Sequence, residues 1–231
     1  MKRLVVFTGA GVSAESGIRT FRDSDGLWEE YAIEEVATPG AWLRDREKVL
    51  HFYNLRRRQV LEAQPNAAHL SLAMLEKYFD VYVVTQNIDD LHERAGTTKV
   101  LHLHGEIRKS RSTVDPSLVY PIEGSELTLG DRCAKGSQLR PHIVWFGEAV
   151  PAMDDAIAIV SRADVFVVIG TSLEVYPAAS LIHYAPESAS NFLIDPRPSV
   201  PSGPREFHIL TQTACSGVPA LADQLIREYV E

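Results

Sequence analysis

The chain has 231 residues, of which 45% are hydrophobic and 23% are charged, and its formal net charge is −8. At about 150 residues per domain, this length predicts one domain with a sizeable insertion that can bury a core without staples. The acidic balance argues against a surface that neutralises phosphates, so we expect no nucleic-acid partner. Cys133 and Cys215 are too few for a disulfide framework or a four-thiolate zinc site.

The amino-terminal segment begins MKRLVVFTGAG, and its apolar stretch stops at Gly9, well short of a signal-peptide core. No apolar run approaches the ~20 residues of a membrane span. The sequence therefore predicts a cytoplasmic protein that does not enter a membrane.

Short apolar runs rich in Val, Ile and Phe recur along the chain, and each is bounded by turn residues. They lie at residues 4–7, 81–84, 165–169 and 192–194. Runs this short predict buried parallel strands. Helical patterns at residues 67–77 and 153–161 lie between them, so the alternation predicts an α/β fold with a sheet wrapped by helices.

Two stretches break this alternation. Residues 30–66 predict helices with an apolar stripe of Trp42, Val49, Phe52 and Leu55. Residues 108–140 contain glycines and prolines with little periodicity. A structureless loop this long is uncommon inside a domain, which indicates a functional insertion or a small module.

A glycine-rich turn, TGAGVSAESG at residues 8–17, follows the first predicted strand. Its glycines would let the backbone approach a ligand, and a following helix would offer N–H groups to a pyrophosphate. Residues 9–14 satisfy the dehydrogenase pattern G-x-G-x-x-G/A, but the polar residues 18–26 do not form the second strand which that fingerprint requires. The turn therefore favours a dinucleotide-binding site, but not one of the dehydrogenase type. The alternative is a tight turn that binds no ligand.

Polar residues follow the second predicted strand, in the segment TQNIDDLH at 85–92. Ligands of open α/β sheets bind at such carboxyl ends. Amide and carboxylate side chains there could recognise the carboxamide of nicotinamide. The alternative is a helix cap formed by Asp89 or Asp90.

Two histidines, His102 and His104, come next, and histidine is the usual general base near neutral pH. Gly105 permits a sharp exit and open access, which favours His104, although either histidine could be structural. The segment PHIVWFGE at 141–148 could form an exposed edge for an extended peptide or a core strand. Residues 170–172 form a second small-residue turn, and Asp195 follows the last apolar run, where a carboxylate suits ribose hydroxyls.

In this order the motifs resemble the sirtuins, a family of NAD-dependent protein lysine deacylases, over essentially the whole chain. The resemblance is carried by residues 9–22, 85–92, 104–106, 144–148 and 170–172, and residues 214–221 are similar to the family's adenine-side loop and helix. It implies a Rossmann-like NAD domain (1–29, 67–107 and 141–231) and a small module (30–66 and 108–140). An acyl-lysine protein or peptide would lie between them as an added strand.

The resemblance also implies roles for individual residues. His104 would be the catalytic base, with Asn87 beside it, while His102 would be structural. The acyl oxygen would attack C1′ of the nicotinamide ribose, and His104 would activate a ribose hydroxyl, giving free lysine, nicotinamide and O-acyl-ADP-ribose. The acyl-lysine would contact Val144, Trp145 and Phe146. Contacts with NAD would come from Gly9, Ala10, Gly11, Ser13, Glu15, Phe21, Arg22, Gln86, Asn87, Ile88, Asp89, Gly170, Thr171, Ser172, Asp195 and Ala214.

Tyr53 and Arg56 lie three residues apart on a predicted helix and therefore on one face. A phenol beside a guanidinium can bind a terminal carboxylate. A solvated basic face is the alternative, since Arg57 and Arg58 follow. Bacterial class III sirtuins carry a similar Tyr-x-x-Arg pair, which implies desuccinylase and demalonylase activity and leaves deacetylase activity open.

The chain departs from the family in two places. Many sirtuins carry two Cys-x-x-Cys pairs, which would fall near Ser112 and Asp115 and near Arg132 and Lys135. Because none of these is cysteine, we expect no bound metal and a loop that is either ordered by its own packing or mobile. The candidate packing residues are Leu118, Val119, Tyr120, Ile122, Leu127 and Leu129. In the second departure, Asp195 stands where many members have Asn.

Two other functions remain open from the sequence. Mono-ADP-ribosyl transfer to protein also begins by cleaving nicotinamide from NAD. An NAD-sensing binding module would not need the intact set of His104, Asn87 and Asp89. Neither the protein substrates nor the oligomeric state can be derived from the sequence.

Overall fold

The computed structural model describes residues 1–18, 31–199 and 206–230. Its strands in chain order are β1 (Arg3–Thr8), β2 (Asp80–Thr85), β3 (Val100–His102), β4 (Gly105–Ser112), β5 (Val119–Pro121), β6 (Leu139–Ile143), β7 (Val165–Ile169), β8 (Ser190–Ile194) and β9 (His208–Leu210). Its α-helices are α1 (Ile33–Val36), α2 (Pro39–Arg44), α3 (Arg46–Glu62), α4 (Ala67–Leu75), α5 (Leu91–Arg94), α6 (Met153–Val160) and α7 (Ala214–Tyr229).

The larger sheet of the described residues has six parallel strands in the order β3-β2-β1-β7-β8-β9. The strand order reverses between β1 and β7, which is the topological switch point of a Rossmann-like fold. The four predicted strands and the two predicted helices, α4 and α6, are confirmed. The sequence missed β3 and β9, because they are three-residue strands without a continuous buried run.

Side chains of the central strands alternate between two buried faces. Leu4 and Val6 of β1 pack in a core with α4 and α7. Val5 and Phe7 face the opposite side and pack with α6. Because helices cover both faces of the sheet, β1 and β7 consist of nearly uninterrupted apolar residues. No helix in the described parts of the chain is long and apolar enough to cross a membrane.

A second sheet, with strand order β5-β4-β6, lies within the described residues and is antiparallel. Its strands lie partly within residues 108–140, where the sequence shows little periodicity. The strands were hidden in the sequence because two of the three buried side chains of β4, Ser110 and Ser112, are polar, and only Ile107 is apolar. A shift in register between Gly105 and Ser110 also interrupts the alternation of β4.

One core cluster joins residues of the two insertions. Trp42, Val49 and Phe52 pack with residues of the small sheet, whereas Leu55 is only half-buried. The expected packing residues of the 108–140 segment divide. Ile122 and Leu127 are buried, and Leu118 and Tyr120 pack partly against the core, but Val119 and Leu129 are exposed, so the expectation was wrong for these two. The domain division derived from the sequence stays a prediction.

Arg57 of α3 is fully buried, so the interpretation of Arg56–Arg58 as a solvated face fails at this residue. Its Nε donates to the carbonyl of Ile107 at 2.7 Å, and its Nη1 donates to Asn54 Oδ1 at 2.8 Å and to the carbonyl of Ser125 at 2.7 Å. Arg57 therefore connects α3 to the segment 105–127 through the interior of the module. Arg58, by contrast, is exposed.

Three of the four positions near which the resemblance places zinc-binding cysteines, Ser112, Asp115 and Lys135, form contacts of a different kind. Lys135 Nζ lies 2.7 Å from Asp115 Oδ2, and Ser112 Oγ lies 3.0 Å from Ser137 Oγ. Cys133 Sγ also lies 3.1 Å from Ser137 Oγ. An ammonium group and hydroxyls do not fit the thiolate and imidazole set that structural zinc requires. The described residues contain no group of three or more His, Cys, Asp or Glu side chains suited to a metal ion.

We therefore expect the purified protein to hold less than about 0.1 zinc per chain, since a four-ligand site is needed for tight binding. Metal analysis after dialysis measures this directly. Unfolding with and without a chelator is the companion measurement, and the melting temperature should not change. One tightly held zinc per chain would contradict the expectation.

Candidate active site

The expected site residues converge at the carboxyl ends of the central strands, beside the switch point. The loops after β1, β2 and β7 meet there, and Asp195 follows β8. This is where open α/β sheets bind ligands. Phe21 and Arg22, which the resemblance places in the same site, lie outside the described residues.

The loops after β1 and β7 are in direct backbone contact. The Gly11 N–H donates to the Gly170 carbonyl at 2.9 Å, and the Gly9 N–H donates to the Ile169 carbonyl at 3.0 Å. A Cβ on Gly11 would lie 2.6 Å from Gly170 Cα, and one on Gly9 would lie 2.7 Å from the Gly170 oxygen. The contact between loops therefore requires these glycines, which the sequence analysis attributed to ligand approach alone.

The expected helix after the glycine turn is absent from residues 9–18. Two short 3₁₀ turns, Ala10–Val12 and Ala14–Ser16, follow β1 instead. They bring Ser13 into the interior, where its side chain is fully buried. The turn therefore positions a hydroxyl rather than a helix N-terminus.

Ser13 is the centre of a buried hydrogen-bond network with defined directions. The Asn66 N–H donates to His69 Nδ1 at 3.3 Å, so His69 carries its proton on Nε2, which lies 3.4 Å from Ser13 Oγ. Asn87 Nδ2 also donates to Ser13 Oγ, at 3.1 Å. With both acceptor positions used, Ser13 donates its own hydrogen to Asp89 Oδ2 at 3.1 Å. The network thus orients the amide of Asn87 and one oxygen of Asp89.

Asp89 fits both interpretations of its motif. Its Oδ1 accepts the N–H of Leu91, where α5 begins, while its Oδ2 faces Ser13. Asp90 makes no capping bond with its side chain. Burial raises the pKa of Asp89, and the bonds from Leu91 and Ser13 oppose that shift. Ile88, next to it, is half-buried, and its carbonyl accepts the N–H of Ile107 at 2.8 Å.

Gln86 links the loops after β2 and β7. Its Nε2 donates to Thr171 Oγ1 at 2.9 Å, and that oxygen also accepts the Leu173 N–H at 3.2 Å. Because the hydroxyl oxygen of Thr171 already accepts two bonds, its hydrogen remains to donate to a ligand. Ser172, the next residue, is half-buried.

His104 is held in one tautomer by the backbone of the same loop. Its Nδ1 lies 3.0 Å from the carbonyl oxygen of Gln86, which can only accept, so Nδ1 carries the proton. Nε2 is therefore unprotonated in the neutral ring. Burial lowers the pKa of His104, with the Gln86 bond opposing it, so the ring is neutral at pH 7. This is the geometry and protonation state of a general base.

His102 is in the opposite state. Its Nδ1 lies 2.9 Å from the Asn87 carbonyl oxygen and its Nε2 lies 2.7 Å from Glu93 Oε1, so both nitrogens must donate. Burial alone would lower the pKa of His102, but the hydrogen bond and charge of Glu93 outweigh it and raise the pKa. His102 therefore anchors the backbone of Asn87 as an imidazolium.

Three of the remaining expected residues lie at the edge of this cluster. Glu15 is exposed, and its carboxylate accepts the Cys215 N–H at 2.9 Å at the start of α7, where negative charge complements the helix dipole. Ala214 begins that helix and is buried. Asp195 is buried, and one of its oxygens accepts the Arg197 N–H at 2.8 Å; no donor to the other oxygen lies among residues 1–18, 31–199 and 206–230.

The segment Val144–Phe146 has its N–H groups already occupied. Val144 donates to the His104 carbonyl at 2.9 Å, Trp145 to Glu148 Oε2 at 2.8 Å, and Phe146 to the Ala37 carbonyl at 3.0 Å. A peptide strand that pairs here must therefore use carbonyls or the residues that follow. Phe146 is 42% exposed but Trp145 is buried, so only part of the expected apolar edge faces outward.

Tyr53 and Arg56 lie on one face of α3, as the spacing predicts. The Tyr53 hydroxyl accepts the indole N–H of Trp145 at 3.1 Å. Arg56 is half-buried, and burial lowers its pKa against the opposing effects of Tyr53 and Asp89. The charge of Asp89, a member of the Ser13 network, therefore acts on Arg56.

Several residues that support the site have only a weak signal in the sequence. His69 and Asn66 control the direction of the Ser13 network, and the signal was an Asn directly before a helical pattern, which is typical of a helix cap. Thr8 is another such residue. Its hydroxyl lies 2.8 Å from that of Thr85 and 3.2 Å from His92 Nε2, in a fully buried group below the loops.

The pattern of the Sir2 family matches residues 9–177, nearly three quarters of the chain. The chain belongs to this family. A Bacteroides thetaiotaomicron protein named NAD-dependent protein deacylase is 53% identical, and the alignment covers 98% of this chain and 99% of that protein. A Helicobacter pylori protein, also named NAD-dependent protein deacylase, is 52% identical, and the alignment covers 98% of this chain and 98% of that protein.

The three-dimensional structure agrees with this assignment. A Sir2 homologue solved with ADP-ribose superimposes with a TM-score of 0.88 at 41% identity, covering 98% of this chain and 93% of that one. The likeness extends over both sheets, because nearly the whole chain is included. This Sir2-family chain therefore shares its fold with experimentally solved members.

The two histidines of the site should titrate in opposite directions. We expect the pKa of His104 to lie below 6.5, because burial disfavours its charged form, and that of His102 to lie above 6.5, because Glu93 favours it. An NMR titration of the ring protons from about pH 5 to about pH 8 measures both. Spectra of His102→Gln and His104→Gln provide the assignments. Equal values, or the reverse order, would contradict the tautomers and charges derived above.

Proposed function

We propose that this protein is an NAD-dependent protein lysine deacylase. The observation that carries the proposal is His104, whose Nδ1 is held by the Gln86 carbonyl and whose Nε2 is left to accept a proton. It lies next to the loop that presents Asn87 and Asp89. The names of the relatives from Bacteroides thetaiotaomicron and Helicobacter pylori support the same activity.

The donors and acceptors of the site fit NAD. The Thr171 hydroxyl has a hydrogen to donate to a hydroxyl or phosphate oxygen. The second oxygen of Asp195, at the end of β8, can accept a ribose hydroxyl. On the β2 side, the amide of Asn87 and the carboxyl of Asp89 match the hydrogen-bonding groups of nicotinamide. The Ser13 network holds both in place before a ligand arrives.

In a deacylation of this class, the acyl oxygen would attack C1′ of the nicotinamide ribose as nicotinamide leaves, and a ribose hydroxyl would then attack the captured acyl carbon. Addition of water would release the lysine amine and leave the acyl group on the ribose as O-acyl-ADP-ribose. His104 Nε2 would accept the proton of the ribose hydroxyl. The fixed tautomer keeps Nε2 available, and the lowered pKa keeps it unprotonated at pH 7. Asn87 would stay oriented through its bond to Ser13 and through the His102–Glu93 pair behind its carbonyl.

We further propose that the enzyme removes succinyl and malonyl groups, with acetyl groups as a second substrate. Tyr53 and Arg56 would receive the terminal carboxylate. A cation removed from water gains more from an anion than an exposed one does. The protein carries a net charge of −8, so an acidic acyl group needs a local cation at its binding position.

The proposed substrates are acyl-lysine residues of proteins or peptides. Mono-ADP-ribosyl transfer is the second candidate, since it shares the cleavage of nicotinamide; the names of the relatives favour deacylation. We propose the cytoplasm as the place of action, because both cysteines are free thiols. No nucleic-acid partner is proposed.

The test of this function is turnover of matched acetyl-, succinyl- and malonyl-lysine peptides with NAD, with products identified by mass. Arg56→Met should lower kcat/KM for the two acidic acyl groups by roughly tenfold to a hundredfold, because a charge-assisted bond is lost. It should change acetyl-peptide turnover much less.

Arg58→Met is the matched control, since Arg58 lies on the same helix, is exposed and pairs with Glu126. An unchanged ratio of succinyl to acetyl turnover in Arg56→Met would contradict the acyl preference. Formation of ADP-ribosylated protein without O-acyl-ADP-ribose would favour the transferase.

A further inference from the structure

The indole of Trp145 determines which way the Tyr53 hydroxyl points. Both side chains are almost fully buried, at 2% and 3% exposure. An indole N–H can only donate, so the phenol oxygen is the acceptor of the 3.1 Å bond between them. The hydrogen of Tyr53 must therefore point away from Trp145.

That hydrogen has no acceptor among residues 1–18, 31–199 and 206–230. A buried donor without a partner costs about 1–3 kcal/mol and is uncommon in a group that serves only packing. Burial also raises the pKa of Tyr53 to about 12, so the phenol keeps its hydrogen at any physiological pH. The phenol is thus an oriented donor next to Arg56.

Trp145 is itself held on two sides. The guanidinium of Arg140 lies 3.3 Å from the centroid of the indole ring. Glu148 accepts the Trp145 backbone N–H at 2.8 Å and the Arg140 Nη1 at 2.6 Å, and Arg111 approaches the same carboxylate at 3.2 Å. This arrangement leaves the indole one orientation, with its N–H directed at α3.

We propose that Trp145 is a positioning residue for acyl selectivity. Its indole N–H orients the Tyr53 hydroxyl. That hydroxyl then donates to the terminal carboxylate of a succinyl or malonyl group beside Arg56. The Arg140–Glu148 pair keeps Trp145 in place. This inference rests on the proposed acyl preference. It adds a role for the indole N–H that is separate from packing against the acyl-lysine chain.

Trp145→Phe tests the inference, because it keeps an aromatic ring and removes the N–H. The ratio of kcat/KM for succinyl-lysine to that for acetyl-lysine peptide should fall about fivefold, the value of one hydrogen bond. The loss should lie mainly in a higher KM for the succinyl peptide, since an oriented donor contributes to binding. Tyr53→Phe should lower the ratio similarly, and the double variant should lower it little further.

Trp42→Phe is the matched control. Its ring centroid lies 5.8 Å from that of Trp145 in the same core, so it reports general loosening of the module. We expect it to leave the ratio within about twofold, because the bond to Tyr53 remains. Melting temperatures of all variants show whether each is folded.

The outcomes separate this inference from the function on which it rests. A wild-type enzyme without desuccinylase activity would overturn the acyl preference and this inference with it. A wild-type enzyme that desuccinylates, with Arg56→Met impaired and Trp145→Phe unchanged in its ratio, would overturn this inference alone. Fully additive effects of Trp145→Phe and Tyr53→Phe would also contradict it.

Discussion

The backbone contact between Gly11 and Gly170 is the constraint on which the rest of the site depends. It joins the loops after β1 and β7 at the point where the strand order reverses, and it leaves no room for a Cβ on either side. Once the first loop is held there, its two 3₁₀ turns bury Ser13 against the loop after β2. The positions of Asn87 and Asp89 then follow from the directions of the hydrogen bonds that Ser13 makes.

The chemistry of the site arises from environment more than from residue type. His102 and His104 are two residues apart, yet within the described ranges the ring of His102 meets a carboxylate and a carbonyl, and that of His104 meets a carbonyl alone. The first is therefore a charged anchor for the Asn87 backbone, and the second is a neutral base. The same principle applies to three consecutive arginines. Arg56 lies half-buried beside Tyr53, Arg57 is a buried structural donor, and Arg58 is exposed.

The sequence predicted the strands that are covered on both faces, because such strands are continuous apolar runs. The site loops were predictable as well, because polar residues and glycines that come directly after such an apolar run are easy to recognise. It failed for β4, because Ser110 and Ser112 are polar and leave Ile107 as the one buried apolar side chain of that strand. It also failed for Arg57, because burial of a single guanidinium leaves no periodic signal. The direction of the Ser13 network depends on His69, which lies 56 positions away in the chain and becomes a neighbour only through folding.

We propose that His104 acts as a base after nicotinamide has left, while Ser13, Asn87 and Asp89 serve the earlier step. Exchange of labelled nicotinamide into NAD, measured with an acyl-lysine peptide and a His104→Ala enzyme, tests this division most directly. The account predicts that exchange continues while deacylation falls by about 100-fold or more. Deacylation at the parent rate, or equal loss of exchange and deacylation in a folded variant, would contradict it.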